Sequence, residues 1–337
     1  MIRELTIERF KSIKSLSLPC RKVNVFIGAP DTGKTNILEA LYLLSRLGWG
    51  WPLDTSLRLR QEMGFDALFY RQFFDKPFEI KLRTDPMVVA GNVSVNGYHL
   101  KAFIEGQDRR LRVEVPPFNP MRIGFGGTET AGFLDWVRFY SYTSSEQWTY
   151  NSGYPRGETQ VTVPHGWNLL YIARHNQNVY EFLRETAAAL NLRLRFDQGL
   201  KTFRLAEVRG QEIIDYNLDL LSDSLKRLFF YSAILLSSEN STLVFDEPDV
   251  FAFPPYPKIL GEMIADDTSN QFFLTTHNPY LLAALLGKTP EADIALFVCY
   301  RDSEGATKAK LLSPTEVSKV IEQGASVFFN LEDFVGS

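Results

Sequence analysis

The fold is decided by GAPDTGKT, residues Gly28–Thr35. This stretch matches the pattern G-x-x-x-x-G-K-[ST] at every fixed position. Glycine lets the backbone curl so that its N–H groups point at phosphate oxygens, and a following helix presents its positive end to the same anion. The pattern therefore predicts a phosphate-binding loop in which Lys34 reaches the β- and γ-phosphates and the Thr35 hydroxyl binds Mg²⁺. The alternative is a glycine turn before an ordinary helix.

The residues on both sides of the loop favour the phosphate-binding interpretation. Apolar residues at 23–27 predict a short strand that ends at Gly28, and apolar residues recur at helical spacing from Ile37 to Leu47. Before them, alternation at 5–18 predicts two strands joined through 9–12. The order strand, glycine loop, helix is the context that this motif requires.

The rest of the chain predicts an α/β core with an antiparallel patch inserted early. The final helix is marked by Ser313 as N-cap, Glu316 closing a capping box and Gly324 just past its end. Predicted strands cover 78–82, 88–95, 111–115, 137–142, 192–196, 202–208, 243–245, 271–275 and 294–300, and predicted helices cover 167–191 and 224–237.

Two carboxylates follow the apolar strand 243–245. In enzymes with such a loop, the first carboxylate, here Asp246, holds the Mg²⁺ shell, and the second, Glu247, polarises the attacking water as a general base. The alternative is a solvated acidic turn after a core strand.

Two further positions have both a functional and an ordinary interpretation. His277 ends the strand 271–275, where it is either a γ-phosphate sensor or a satisfied turn residue. Ser222 opens the helix that leads toward Asp246, so it is either a plain N-cap or a γ-phosphate ligand for a nucleotide held by another subunit.

Composition narrows the function classes. The net charge of −4 over 337 residues argues against a whole-surface nucleic-acid binder. The two cysteines, Cys20 and Cys299, and four dispersed histidines show no zinc-ligand spacing, and so few cysteines suggest reduced thiols, with one disulfide left open. The charged N-terminus and the absence of a long apolar run predict a cytoplasmic protein without a membrane segment.

These motifs, in this order, resemble the ABC-type ATPase heads of the RecF/SMC/OLD group, particularly the short AAA-type members. The resemblance covers most of the chain. It rests on Phe10–Ser12, on Gly28–Leu41, on His165–Leu169, on Leu221–Arg227, on Asp246–Pro248 and on Thr275–Pro279.

The resemblance implies a P-loop NTPase of ABC-ATPase type with an antiparallel β-subdomain and a helical lobe. It implies one domain in three parts: 1–145 with the P-loop and β insertion, 146–240 with the helical and signature lobe, and 241–337 with the carboxylates and the histidine. It also implies a homodimer that sandwiches two ATP molecules, with Ser222 of one subunit facing the ATP of the other.

By the same resemblance, Lys34, Glu247, His277 and Ser222 would be catalytic, and Thr35, Asp246 and Gln147 would hold Mg²⁺. The other residues expected at the nucleotide are Gly28, Asp31, Thr32, Gly33, Asn36 and Lys11. Lys11 has an equal alternative as a surface lysine, and Gln147 is only the best candidate for the family's glutamine.

Some features depart from the family or are missing. Ser224 stands where the family usually has glycine, and its Cβ would crowd the phosphate. Ala252–Pro254 replaces the usual Leu-His-Pro, and neither coiled-coil heptads nor a nuclease segment is present. The aromatic stretch around Trp148, Tyr150, Tyr154 and Arg156 would either stack on bases or belong to the core or to an interface.

Three functions stay open at this point. The first is an ATPase whose dimer opens and closes to act on DNA or on an effector protein, in repair or phage defence. The second is a scaffold that binds ATP without hydrolysing it. The third is a P-loop kinase with a small acceptor.

Overall fold

The computed structural model describes residues 1–49, 68–72, 76–85, 88–96, 99–106, 109–115, 136–143, 148 and 159–335. The structure is built on a central six-stranded sheet. Its strands, in chain order, are β3 (Val23–Gly28), β8 (Val137–Tyr140), β12 (Thr242–Phe245), β13 (Gln271–Thr275), β14 (Ile294–Arg301) and β15 (Thr307–Leu311).

The order across this sheet is β15-β14-β3-β13-β12-β8, and all neighbours are parallel except the antiparallel pair β14–β15. Every residue of β3, β12 and β13 is buried, as expected for a parallel sheet covered on both faces. The carboxyl ends of these three strands meet at one edge of the sheet. That edge brings together the loop after Gly28, the Asp246–Glu247 pair and His277.

Alternate residues of the central strands pack into two separate cores. Phe26, Val244 and Phe273 point to one side, where they meet α1 (Lys34–Trp49) and the first antiparallel sheet. Val25 and Phe245 point to the other side, which is covered by helices. These helices are α2 (Leu169–His175), α3 (Gln177–Ala189), α4 (Asp223–Ser237), α5 (Pro255–Asp266), α6 (Pro279–Lys288), α7 (Pro314–Gln323) and α8 (Glu332–Val335).

The antiparallel sheet of the first core has the order β2-β1-β4-β5-β6-β7. It confirms the predicted hairpin before the P-loop, since β1 pairs with β2 and Phe10 faces Ile13. Its strands are β1 (Ile2–Phe10), β2 (Ile13–Pro19), β4 (Phe78–Thr84), β5 (Val88–Asn96), β6 (His99–Gly106) and β7 (Arg109–Val115). The strand β6 was not among the predicted elements.

A third, small sheet has the order β11-β10-β9 and is formed by β9 (Arg193–Asp197), β10 (Thr202–Arg209) and β11 (Glu212–Asn217). The pair β9–β10 was predicted, but β11 was not. Because β11 is largely exposed, its sequence shows only a weak alternation of apolar and polar residues.

The helical stretch predicted over 167–191 is confirmed over most of its length, but it consists of two helices. Asn176 has an extended backbone (φ −101°, ψ 114°) and separates α2 from α3. Its side chain accepts a hydrogen bond from the Val179 N–H, so the asparagine caps the second helix instead of continuing the first.

Other local predictions are confirmed. The capping box of Ser313 and Glu316 is present at the start of α7, and Gly324 follows its end. Cys20 and Cys299 are both buried and free, so the possible disulfide does not form. Within the described ranges, no helix combines the length and the apolar character needed to cross a bilayer.

Candidate functional site

The loop between β3 and α1 is closed tightly around its own lysine. Lys34 is 5% exposed, and its Nζ donates to the carbonyl oxygens of Gly28 at 3.0 Å and Ala29 at 2.8 Å. Burial lowers the pKa of this ammonium, and Glu247 and Asp246 act in the opposite direction. The lysine is therefore a poorly solvated cation at the mouth of α1, which favours an anionic ligand.

Asp246 lies directly opposite this loop. Its Oδ1 accepts from the Thr35 hydroxyl at 3.1 Å and from the Thr275 hydroxyl at 2.7 Å. Thr275 also accepts from the Glu247 N–H at 2.9 Å, so one threonine orients both acidic residues. The structure thus brings together the hydroxyl and the carboxylate that were predicted to share a Mg²⁺ ion.

Glu247 and His277 face each other next to Lys34. The distance from His277 Nε2 to Glu247 Oε1 is 3.7 Å, and Glu247 has a left-handed backbone with φ +47°. The pKa of His277 is lowered from its ordinary value, first by burial and then by the charge of Lys34. The lowered pKa favours the neutral imidazole, which can both accept and donate a hydrogen bond.

A cleft of about 470 Å³ is lined by Lys34, Glu247 and His277, whereas Asp246 is reached through its contact with Thr35. The residues around it are Lys11, Pro30, Asp31, Gly33, Lys34, Thr35, Asn36, Glu39, Glu247, His277 and Arg301. Most of the residues predicted to bind nucleotide are thus at one cleft. Gly28 and Thr32 do not line the cleft, and the Thr32 hydroxyl donates to the Ala29 carbonyl within the loop at 2.8 Å.

Lys11 lies at this cleft and is paired with a buried acid. Its Nζ is 2.6 Å from Oε2 of Glu39, a side chain that is 2% exposed. Sequence reasoning missed Glu39, although a residue four positions after Thr35 on a helix shares its face. The ion pair removes the simple alternative of a solvated surface lysine for Lys11.

Polar side chains from distant segments fix the shape of the loop. Thr307 donates to the Thr32 carbonyl at 2.9 Å and lies 2.7 Å from the Ser12 hydroxyl, which accepts from Asn36. Gly33 has φ +91°, and a Cβ at this position would collide with the Thr307 hydroxyl. Only glycine fits here, for a packing reason as well as a backbone reason.

Arg301 also went unrecognised in the sequence. Its Nε donates to the Asp31 carbonyl at 2.9 Å. Its position at the nucleotide loop follows from the pairing of β14 with β3, in which Cys299 faces Gly28. No sequence motif marks that pairing, because the two strands are far apart in the chain.

Ser222 is the one predicted catalytic residue that does not line the described cleft. It is the N-cap of α4, and its hydroxyl accepts from the Leu225 N–H at 3.3 Å. The neighbouring Ser224 hydroxyl accepts from the Phe253 N–H at 2.6 Å, which connects α4 to the loop after the acidic pair. Gln147, the predicted Mg²⁺ ligand, lies outside the described residues.

The aromatic stretch contributes to the core where it is described. Trp148 is 6% exposed and stacks on Phe230 with a centroid distance of 6.3 Å and an interplanar angle of 4°. This is the core alternative, not a base-stacking position. Tyr150, Tyr154 and Arg156 lie outside the described residues.

Comparison with models of protein families assigns the chain to a family. Residues 23–283 match the AAA_21 family, described as "AAA domain, putative AbiEii toxin, Type IV TA system". The chain belongs to the AAA_21 family. The matched range of this AAA_21 protein includes the P-loop, the acidic pair and His277, whereas Lys11 and Arg301 of the cleft lie outside it.

This AAA_21 chain is also similar to proteins of the OLD and SMC groups. An OLD nuclease from Thermus scotoductus is 26% identical over 137 residues, which cover 37% of the chain and 24% of the nuclease. The match thus spans about a quarter of that relative's length.

Solved structures are similar over nearly the whole chain. An SMC head bound to the C-terminal winged-helix domain of ScpA aligns with a TM-score of 0.60 and 15% identity, covering 94% of this chain and 99% of the other. The SMC head domain from Thermotoga maritima has a TM-score of 0.49 and 16% identity, with 93% and 99% covered. The former match shows the predicted P-loop ABC-ATPase fold.

Proposed function

We propose that this protein hydrolyses ATP with Mg²⁺ and works as a dimer that encloses two nucleotides. The observation that carries the proposal is the contact between Thr35 and Asp246, 3.1 Å apart, with Glu247 and His277 beside them at one cleft. These groups come from three separate loops at one edge of the sheet. Their convergence supports a catalytic centre and argues against a chance acidic turn.

The residues present fit Mg·ATP. A hydroxyl and a carboxylate are the hard oxygen ligands that Mg²⁺ prefers, so Thr35 and Asp246 would hold the ion. The glycine backbone and the buried ammonium of Lys34 would hold the phosphates. When bound, the metal ion supplies neutralisation of the charge that develops on the phosphate oxygens.

The chain's own groups would do the remaining work. Glu247 would accept a proton from the attacking water, and the Thr275 hydroxyl keeps its backbone in place. Neutral His277 would donate a hydrogen bond to the terminal phosphate while its other ring nitrogen stays free of a proton. Lys11, held in place by Glu39, would contact the bound nucleotide.

The dimer is supported by what surrounds Ser222. Large apolar side chains near it are exposed: Leu220 by 73%, Phe251 by 84% and Phe253 by 60%. A hydroxyl and a helix N-terminus that lie off the chain's own cleft suit the nucleotide of a second copy. The proposal includes the homodimer and the division of the domain into three parts, 1–145, 146–240 and 241–337.

The test is the molar mass in solution by light scattering, with Mg·ATP and the slowly hydrolysing variant Glu247→Gln. We expect the mass to double with ATP, and Ser222→Arg to prevent the doubling. Ser318→Arg, on the exposed side of α7, is the matched control and should dimerise normally. A monomer at saturating ATP would exclude the sandwich.

A second candidate is a nucleotide-gated scaffold with negligible hydrolysis. Ser224 in place of glycine favours it. Its hydroxyl, which accepts from the Phe253 N–H, occupies space in the segment Leu221–Arg227 that the family uses to contact the second nucleotide. Turnover separates the two functions. Equal and negligible release of phosphate by the wild type and Glu247→Gln, with ATP still bound, would establish the scaffold.

We further propose that the output goes to DNA or to an effector protein, in DNA maintenance or phage defence. Support comes from the likeness to an OLD nuclease and to an SMC head that was solved with a protein partner. Co-purification with and without Glu247→Gln, which holds the closed state, tests this step. Association that ignores nucleotide state would contradict it.

A further inference from the structure

The segment 247–254, here called the coupling loop, connects the acidic pair to α5. Two of its non-glycine residues have left-handed backbones, Glu247 with φ +47° and Phe251 with φ +56°. Such conformations persist only when surrounding contacts impose them. The coupling loop must therefore be held from outside, and the structure shows two attachments beyond the bond from the Glu247 N–H to Thr275.

The first attachment leads to the histidine. Asp249 is 5% exposed, and its Oδ2 accepts from the Thr276 hydroxyl at 2.6 Å. Thr276 is fully buried, directly precedes His277, and accepts from the Asn278 N–H at 2.9 Å. The coupling loop and the histidine loop are thus joined by one buried hydrogen bond.

The second attachment leads to α4. The Ser224 hydroxyl, in the first turn of α4, accepts from the Phe253 N–H at 2.6 Å. Ser224 and Asp249 also line one small cavity of about 10 Å³ between α4 and α5. The other oxygen of Asp249, Oδ1, has no hydrogen-bond partner within the described part of the chain. Asp249 therefore reaches the histidine loop through one oxygen, in addition to the bond from the Glu247 N–H to Thr275 at the start of the coupling loop.

We propose that Ser224 and Asp249 are positioning residues that transmit the state of the α4 N-terminus to Glu247 and His277. Ser224 fixes one end of the coupling loop beside Ser222, and Asp249 fixes the middle of the loop to Thr276. Contact of a second copy at Ser222 would then set the catalytic groups of the same chain. This inference rests on the proposed function.

The structure also gives Ser224 a role other than crowding the phosphate. If its hydroxyl matters, Ser224→Ala and Ser224→Gly should behave alike, because both lose the acceptor. Ser224→Thr keeps the hydroxyl and should restore the wild-type behaviour. If the Cβ matters instead, Ser224→Gly should turn over faster than the wild type while Ser224→Ala stays unchanged, and the proposal would be overturned.

Hydrogen–deuterium exchange with ATP and Mg²⁺ present is the readout that does not need turnover. In Ser224→Ala we expect faster exchange at the Phe253 amide and also at 276–278, across Asp249. Faster exchange confined to 251–254 would overturn the proposal whether or not the protein hydrolyses ATP. Failure of the proposed function would show differently, as absent turnover in the wild type.

Turnover gives the second readout. Loss of one hydrogen bond should lower kcat about fivefold in Ser224→Ala, with KM for ATP changed by less than about twofold. Thr276→Val should lower kcat similarly, and the double variant should be no worse than either single variant, since both cut one link. Additive losses, or a rise in KM alone, would overturn the coupling.

Discussion

Two ends of the candidate site, the P-loop and the start of α4 with the coupling loop, differ in how complete they are within one chain. At the P-loop, Lys34 is 5% exposed, and Gly33 packs against Thr307. Leu220, just before α4, and Phe251 and Phe253, in the coupling loop that is bonded to α4 through Ser224, are exposed by more than half. The P-loop end is preformed for an anionic ligand within one chain. The second end has apolar surface that a second copy would cover.

The largest expected effect tests the complete end. Replacement of Glu247 by glutamine would remove the proposed general base but keep the shape, so we expect kcat to fall at least about a hundredfold while ATP affinity stays within twofold. Phosphate release and equilibrium binding, measured on the same preparation, check this. Glu185→Gln, an exposed acid on α3, is the control. Undiminished turnover would remove Glu247 from catalysis.

The next effect tests the incomplete end. Phe251→Ser together with Phe253→Ser removes apolar surface that the dimer would bury, so we expect dimerisation with Mg·ATP to weaken about tenfold or more. Ile213→Ser on β11 is the matched control, since Ile213 is 59% exposed. Sedimentation at several concentrations measures both. Equal weakening in the control would show that loss of apolar surface anywhere has the same effect.

A smaller effect concerns the stability of the coupling loop. Burial raises the pKa of Asp249 to about 6, with Glu247 adding to the shift and Arg227 opposing it. The folded state then holds this proton more tightly than the unfolded state, so wild-type stability should fall as the pH rises toward and through 6. Asp249→Asn cannot ionise.

The free energy of unfolding of Asp249→Asn relative to the wild type should therefore rise by about 1 kcal/mol between pH 5 and pH 7.5. Urea unfolding at both pH values measures this difference. Asp293→Asn, at an exposed aspartate, should show no such change with pH. A constant difference for Asp249→Asn would mean that its carboxyl is not buried in the folded protein.

The smallest effect concerns His277. Because its pKa is lowered from 6.5, the neutral ring should persist below pH 6.5, and turnover that depends on it should change less than about threefold between pH 8 and pH 6.5. The same assay on His277→Gln separates this titration from that of other groups. A loss of turnover centred above pH 6.5 that is absent in His277→Gln would contradict the lowered pKa.

The difference between the two ends also explains what the sequence could reveal. The P-loop and the acidic pair follow apolar strands directly, so a local pattern predicts both. The roles of Thr307 and Arg301 depend on β14 lying beside β3, which only long-range strand pairing establishes. Likewise, nothing local to Ser224 indicates that its hydroxyl would meet the Phe253 amide.

Secondary structure follows the same rule. The helix predicted over 167–191 is broken at Asn176, because a side-chain cap for α3 competes with helix continuation there. The strand β11 escaped prediction since only one of its faces is partly covered. Where burial is complete, as in β3, β12 and β13, the apolar pattern predicted the strands within one residue of their observed ends.

The central claim is that the backbone amides of the P-loop, Lys34 and the Thr35–Asp246 pair together hold Mg·ATP. Calorimetric titration of ATP into the protein, with Mg²⁺ and then with chelator, tests it most directly. We predict one ATP per chain, weaker binding in chelator, and a loss of affinity of about a hundredfold in Lys34→Ala but none in Lys14→Ala. Equal ATP binding by the wild type and Lys34→Ala, with or without Mg²⁺, would contradict it.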